Sequence, residues 1–229
     1  MATRTVELPI QAVSRAGFLE RRDNGAPRPG LPCILAGLLV GLLASPSGAA
    51  QHLPRSQAND FEHVHALAVD PEGRSMILGA HTGLFRSEDS GKTWKRVPVP
   101  TKHPHLDVMA IAFDPTNSRV LYIGTHEAGV LKSTDGGATW AEANNGLAGL
   151  DVHGFAVDPN DPAKLHAAVR EKGEGIYRTT DGGTKWTRVD DGPTGEVKVL
   201  ASVNTPTGMG GIWLYAGTSE GLQRSPDCF

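Results

Sequence analysis

Ser87-Glu88-Asp89-Ser90-Gly91-Lys92-Thr93-Trp94 recurs as Ser133-Thr134-Asp135-Gly136-Gly137-Ala138-Thr139-Trp140 and as Thr179-Thr180-Asp181-Gly182-Gly183-Thr184-Lys185-Trp186, and begins again at Ser225-Pro226-Asp227-Cys228-Phe229. The step is 46 residues each time, and Gly83, Gly129, Gly175 and Gly221 keep it too. A fixed period of this length means one supersecondary unit repeated in an array, each copy covering its neighbour's apolar face. On this count the chain stops inside its fourth unit.

Each unit contains four strand-like pieces. The first is Val64 to Pro71, matched by Val108 to Pro115, Val152 to Pro159 and, more loosely, Val197 to Asn204. Its near-continuous apolar character predicts a strand buried on both faces. Asp-Pro ends it, because Asp bonds the following backbone N–H groups and Pro presets φ for the turn. A second strand follows (Met76 to Ala80 and counterparts), then a third from Gly83 to Ser87, and a fourth from Thr93 to Val97. Between the third and fourth lies the repeated box, whose residues are those of a tight hairpin. Asp accepts turn N–H groups, Gly takes positive φ, Ser or Thr bonds across the turn, and Trp folds back over it. The fold class expected is all-β: a β-propeller of four-stranded antiparallel blades, present as an incomplete arc of three full blades plus a truncated fourth. Such an arc exposes apolar sheet faces at both ends and an unpaired edge, so self-association is expected.

The blades occupy 63–229, divided as 63–106, 107–150, 151–195 and 196–229, after a linker at 51–62. Residues 1–50 read as an export signal. An n-region (1–30) precedes the uncharged apolar run Leu31 to Ala44, too short for a comfortable membrane span, and a small-residue cleavage zone (45–50) follows. The expected location is periplasmic or extracellular, with no stable membrane span once the signal is removed. Composition agrees with a globular chain: 39% of residues are apolar and 21% charged. From residue 51 on, 17 Lys and Arg face 22 Asp and Glu, an acidic balance that argues against a nucleic-acid partner.

The box S/T-x-D-x-G-x-T-W is identified as the Asp-box, or bacterial neuraminidase repeat, and the resemblance covers about residues 63 to 229. The string Gly-(Val/Ile/Leu)-x-(Lys/Arg)-Ser-Thr-Asp-Gly-Gly most resembles exported propellers similar to photosystem II assembly factors and sortilin ectodomains. Xyloglucanases and sialidases share the box. The resemblance implies a structural role for Asp89, Gly91, Trp94, Asp135, Gly137, Trp140, Asp181, Gly183, Trp186 and Asp227. The turn chemistry of the box supplies the same reading.

No catalytic residue is assigned. The box aspartates belong to separate hairpins a blade apart, and a glycosidase needs two carboxyls facing one bond. The Arg-Ile-Pro element of sialidases does not occur, and Tyr122, Tyr177 and Tyr215 fall within expected strands. Arg86, Lys132, Arg178 and Arg224 also keep the period and read as charged stems packing beside neighbouring blades. Candidate binding residues gather where the inner strands begin, at the channel mouth: His63, His65, Asp107, Met109, Asp151, His153, Glu196 and Lys198, with His103 and His105 in the link before Asp107. The spacing shows no zinc motif, so no cofactor is expected; a metal held by His65 and His153 is the lesser reading. The leading expectation is an exported, non-catalytic scaffold for a protein or polysaccharide. The alternatives are a glycoside hydrolase-like chain whose catalytic residues lie in further blades, and a periplasmic metal-handling module.

Overall fold

Fifteen strands in four antiparallel sheets, and no helix, make up the described residues of the computed structural model, which are 61–225 except 103–104, 190 and 208–210. They belong to the second of two units, Met1–Ala49 and Ala50–Phe229. The export segment, His103 and Asp227 lie outside the described residues.

The first sheet runs in order through β1 (Val64–Val69), β2 (Met76–Ala80), β3 (Gly83–Ser87) and β4 (Lys95–Arg96). The second repeats it with β5 (Val108–Asp114), β6 (Asn117–Thr125), β7 (Val130–Ser133) and β8 (Ala141–Glu142). The third does so with β9 (Asp151–Val157), β10 (Leu165–Arg170), β11 (Gly175–Thr179) and β12 (Thr187–Arg188). The fourth has three strands among the described residues, β13 (Val197–Pro206), β14 (Ile212–Thr218) and β15 (Gly221–Ser225). These sheets are the blades of a β-propeller. The first strands lie side by side, β1 against β5, β5 against β9, and β9 against β13.

Asp-Pro turns close the first hairpin of the first three blades as their chemistry requires. Asp70 accepts the N–H groups of Glu72 at 2.8 Å and Ser75 at 2.6 Å, Asp114 that of Thr116 at 2.8 Å, and Asp158 that of Asn160 at 2.8 Å. The outer strands are shorter than the sequence pattern predicts. Only two residues pair in β4, and one further bond, from Val97 N–H to the Leu84 carbonyl at 2.8 Å, extends it. Pro98 follows at once and has no N–H to continue the ladder.

Three buried clusters lie between successive sheets: Ile77, Leu84 and Val108 between the first and second, Tyr122, Val152 and Trp186 between the second and third, and Ala168, Leu200 and Leu214 between the third and fourth. None of the described clusters joins the fourth sheet to the first. The expectation that every inner strand is buried on both faces therefore holds best for β9 and fails for β1 and β13, where Leu67 is 57% exposed and Val199 56% exposed. The reason is positional, since an end blade has one neighbour. On the free side of the first sheet, Phe61 packs edge-on against Phe85 at 5.0 Å and Trp94 at 6.0 Å, covering the outer strands and leaving Val64, Leu67 and Val69 in solvent.

Candidate functional site

The Asp-box hairpins of the first three blades sit at the end of the blade where the third strand finishes. In the first, Ser87 Oγ donates to Asp89 Oδ1 at 2.8 Å and accepts the Gly91 N–H at 2.8 Å. Asp89 Oδ1 also accepts the Thr93 N–H at 2.8 Å, its Oδ2 the Thr93 hydroxyl at 2.6 Å, and Trp94 Nε1 donates to the Gly91 carbonyl at 3.1 Å. The second box repeats this, with Ser133 and Thr139 on Asp135 and Trp140 on the Gly137 carbonyl at 3.1 Å.

The third box departs where its sequence does. The backbone bonds persist, with Lys185 N–H to Asp181 at 3.0 Å and Gly183 N–H to Thr179 Oγ1 at 3.1 Å, but Lys185 has no hydroxyl for the second carboxylate oxygen and Thr184 turns its own to the Asp181 carbonyl at 3.0 Å. The Trp186 ring still lies beside Gly183, but its Nε1 donates to the Ala143 carbonyl of the preceding blade at 2.8 Å.

These donors hold the box carboxylates ionised. The Thr93 hydroxyl and N–H, then Ser87, bring Asp89 down to about 2, and the Thr139 and Ser133 donors depress Asp135 in the same way. Thr179 and the Lys185 N–H lower Asp181. A carboxyl depressed in the fold contributes stability above its unfolded value, near 3.8, and loses that contribution as pH falls through its folded value. The urea midpoint of the chain is thus expected to drop between about pH 4 and pH 2. In an Asp89→Asn variant that acid-dependent drop should shrink, and an unchanged profile would remove the box from the account.

The periodic basic residues tie blades together. Arg86 donates to the Gly136 carbonyl in the next blade's box, and Lys132 Nζ does the same to Gly182 at 2.7 Å, beside the Tyr122 hydroxyl at 3.1 Å. Arg224 instead stacks over Trp213 at 4.5 Å.

At the opposite end, where the first strands begin, the channel-mouth residues fall into groups at the blade junctions. In the first three blades the end of the second strand, or the residue just after it, brings a side chain to the carboxylate that opens the next blade. His81 Nδ1 lies 2.8 Å from Asp107 Oδ2, His126 Nδ1 lies 3.1 Å from Asp151 Oδ1, and Arg170 lies 2.9 Å from Glu196. His65 Nε2 joins the first group at 3.5 Å from Asp107 Oδ1, and His153 Nε2 joins the second at 2.6 Å from Asp151 Oδ1. His65 and His153 are thus in separate groups, and the structure does not bring them together as one pair of ligands.

His63, at φ 49°, stacks edge-on to His81 at 6.0 Å, and Met109 stands half-buried at the position that His65 and His153 hold in their own blades. Lys198 is exposed and His105 lies in the exposed link. Sequence reasoning passed over His81 and His126, although both directly follow the second strand, a signal readable once the units are aligned.

Burial and the nearby Asp151 pull His153 in opposite directions; burial, helped by Arg170, prevails and lowers its pKa. Partial burial also acts against the charge on His126, but a backbone hydrogen bond and the Asp151, Asp107 and Glu171 carboxylates outweigh it and raise its pKa. A cavity of about 490 Å³ opens here, lined by the second group together with Arg170, Glu171, Glu174 and Glu196.

The chain is 32% identical over 91 residues to the xyloglucanase Xgh74A of Acetivibrio thermocellus, covering 34% of this chain and 11% of the enzyme. It thus spans about a tenth of that relative's length. Among solved structures, the GH74 enzyme of Niastella koreensis superposes with a TM-score of 0.55 at 27% identity, covering 71% of this chain and 27% of the other. A structure of YCF48 described as bound to D1 peptide superposes with a TM-score of 0.50 at 18% identity, covering 70% and 50%, which shows a shared fold. Residues 62–226, nearly all the described blades, match the family described as photosynthesis system II assembly factor YCF48, and the chain belongs to that family.

Proposed function

We propose that this chain is an exported, non-catalytic propeller that holds an extended protein segment at the end of the blades where the first strands begin. The family match carries the reading. The charge of the candidate surface supports it, since the cavity beside His153 presents Asp151, Glu171, Glu174 and Glu196 against one arginine. Such a surface suits a partner segment bearing Lys or Arg. The described box aspartates are poor candidates for acid–base work, because each accepts at least two hydrogen bonds from its own hairpin and has its pKa lowered by them. Among the described residues no helix is long and apolar enough to cross a membrane. Export rests on residues 31–44, and self-association on the exposed apolar residues of the two end blades.

The test uses the full chain secreted from an exporting host. Its mature N-terminus is expected near Ala50 or Gln51. Labelled extended peptides of graded charge, read by fluorescence anisotropy, should bind in order of their basic content, and a Glu171→Gln, Glu174→Gln variant should bind them several-fold more weakly. Xyloglucan and sialosides should remain uncleaved. Failure of every peptide to bind, or hydrolysis abolished by Asp107→Asn or Asp151→Asn, would overturn the proposal.

A further inference from the structure

The third blade junction shows what simple charge compensation at this end of the propeller requires: Arg170 on Glu196, a permanent cation on a carboxylate. At the first two junctions the same place is filled by imidazoles, and in pairs. The second combines His126, Asp151 and His153, and the first combines His65, His81 and Asp107. In each, three ligand atoms lie within 4.8 Å of one another. A tetrahedral ion with bonds of about 2.0–2.2 Å spaces its donors about 3.3–3.6 Å apart. The nitrogen–oxygen separations are 2.6 Å and 3.1 Å in the second group and 2.8 Å and 3.5 Å in the first, so the donors need to move apart by at most about 1 Å to reach that spacing.

An independent observation comes from Asp107. Its Oδ1 is buried with no hydrogen-bond partner, and His65 Nε2 stands 3.5 Å away. A buried carboxylate oxygen without a partner is costly, and a cation between it and the two imidazoles would remove that cost. In the second group Asp151 and His153 are almost enclosed, with side-chain exposures of 9% and 10%, while His126 at 47% leaves an approach from solvent. The two groups also touch through the backbone, where the His126 N–H donates to the Asp107 carbonyl at 3.1 Å.

We infer that the first two blade junctions are metal sites built on the repeat-equivalent pairs His81–Asp107 and His126–Asp151, with His65 of the first blade or His153 of the third as the other imidazole, each binding one borderline transition-metal ion such as Zn²⁺ or Cu²⁺ through two imidazole nitrogens and one carboxylate. The donor set decides the class. Two nitrogens and one oxygen suit zinc, copper or nickel and leave coordination positions for water or a ligand. Calcium and magnesium call for six or more oxygens and are excluded. Each ion bridges two blades, since the carboxylate and one histidine always come from different sheets, so binding also stiffens the junction. The inference does not depend on the partner-binding reading, because metal uptake is measured on the chain alone.

The experiment is calorimetric titration of the full chain, stripped with chelator and dialysed, with zinc chloride, copper chloride and, as a control, calcium chloride. Two strong equivalents of zinc or copper are expected, with no calcium heat. His126→Gln with His153→Gln should leave one strong equivalent, and His65→Gln with His81→Gln the other, each lost site weakening by at least about ten-fold. The continuous-wave spectrum of the copper form should carry nitrogen hyperfine structure that diminishes with each pair of substitutions. Because His153 is largely buried, the exposed single variant His126→Gln, checked for native circular dichroism, keeps the test open if the double variant misfolds. Failure to bind at 100-fold excess over protein, or two strong equivalents surviving in both double variants, would overturn the inference.

Discussion

Replacing Trp186 with alanine is expected to lower the unfolding free energy by about 3–5 kcal/mol, the usual range for deleting a large buried aromatic side chain. Trp186 is 1% exposed and sits in the cluster formed by Tyr122, Val152, Phe155 and Tyr177 between the second and third blades. Its Nε1 donates to the Ala143 carbonyl at 2.8 Å, and its own backbone N–H donates to the Asn145 carbonyl at 2.8 Å. The substitution would therefore open a cavity and also leave a carbonyl without its donor. Trp94 and Trp140 make the comparison sharp, because both are only half-buried and bond within their own hairpins. Urea denaturation should show Trp140→Ala losing clearly less than Trp186→Ala. Equal losses would mean that the three tryptophans do one job and that the inter-blade bond of Trp186 contributes nothing.

Gly124→Ala is the second large effect, a loss of about 1–3 kcal/mol or more by overpacking. A Cβ at Gly124 would meet the Val152 carbonyl oxygen at 2.6 Å and Val152 Cγ1 at 2.8 Å. One of these is backbone of the next blade's first strand, which cannot rotate away, so the blades must separate. Gly79 stands in the same relation to Val108, whose Cγ1 and carbonyl would lie at 2.7 Å and 2.9 Å from an added Cβ. Neither glycine has a positive φ, so the expected loss comes from contact between blades and not from backbone strain. A Gly124→Ala variant with an unchanged urea midpoint would show that the junction has slack.

The inner three strands of each blade could be read closely from the repeated box and the Asp-Pro turns, because those signals rest on contacts a few residues apart. Asp89 and Thr93 are four residues apart, and Asp70 reaches only to Ser75. The outer strands are shorter than their apolar pattern suggests, and in the first blade Pro98 stops the ladder because it has no N–H to donate. Gly79 and Gly124 drew no notice, since a glycine in a strand shows its purpose only when another blade's backbone stands over it.

The junction groups proposed as metal sites were half legible. His65, Asp107, Asp151 and His153 stood out as polar residues opening apolar strands, but their partners did not. His81 and Asp107 are 26 residues apart and meet only when one blade packs on the next. The sequence by itself determined the unit, its period and the turn chemistry, all of which follow from local hydrogen bonding that a blade carries wherever it sits. Only the tertiary structure decided which imidazole faces which carboxylate, which tryptophan is sealed between blades and which apolar strands stay in solvent. Those outcomes depend on the neighbour each face receives, and an internal blade has two neighbours where an end blade has one.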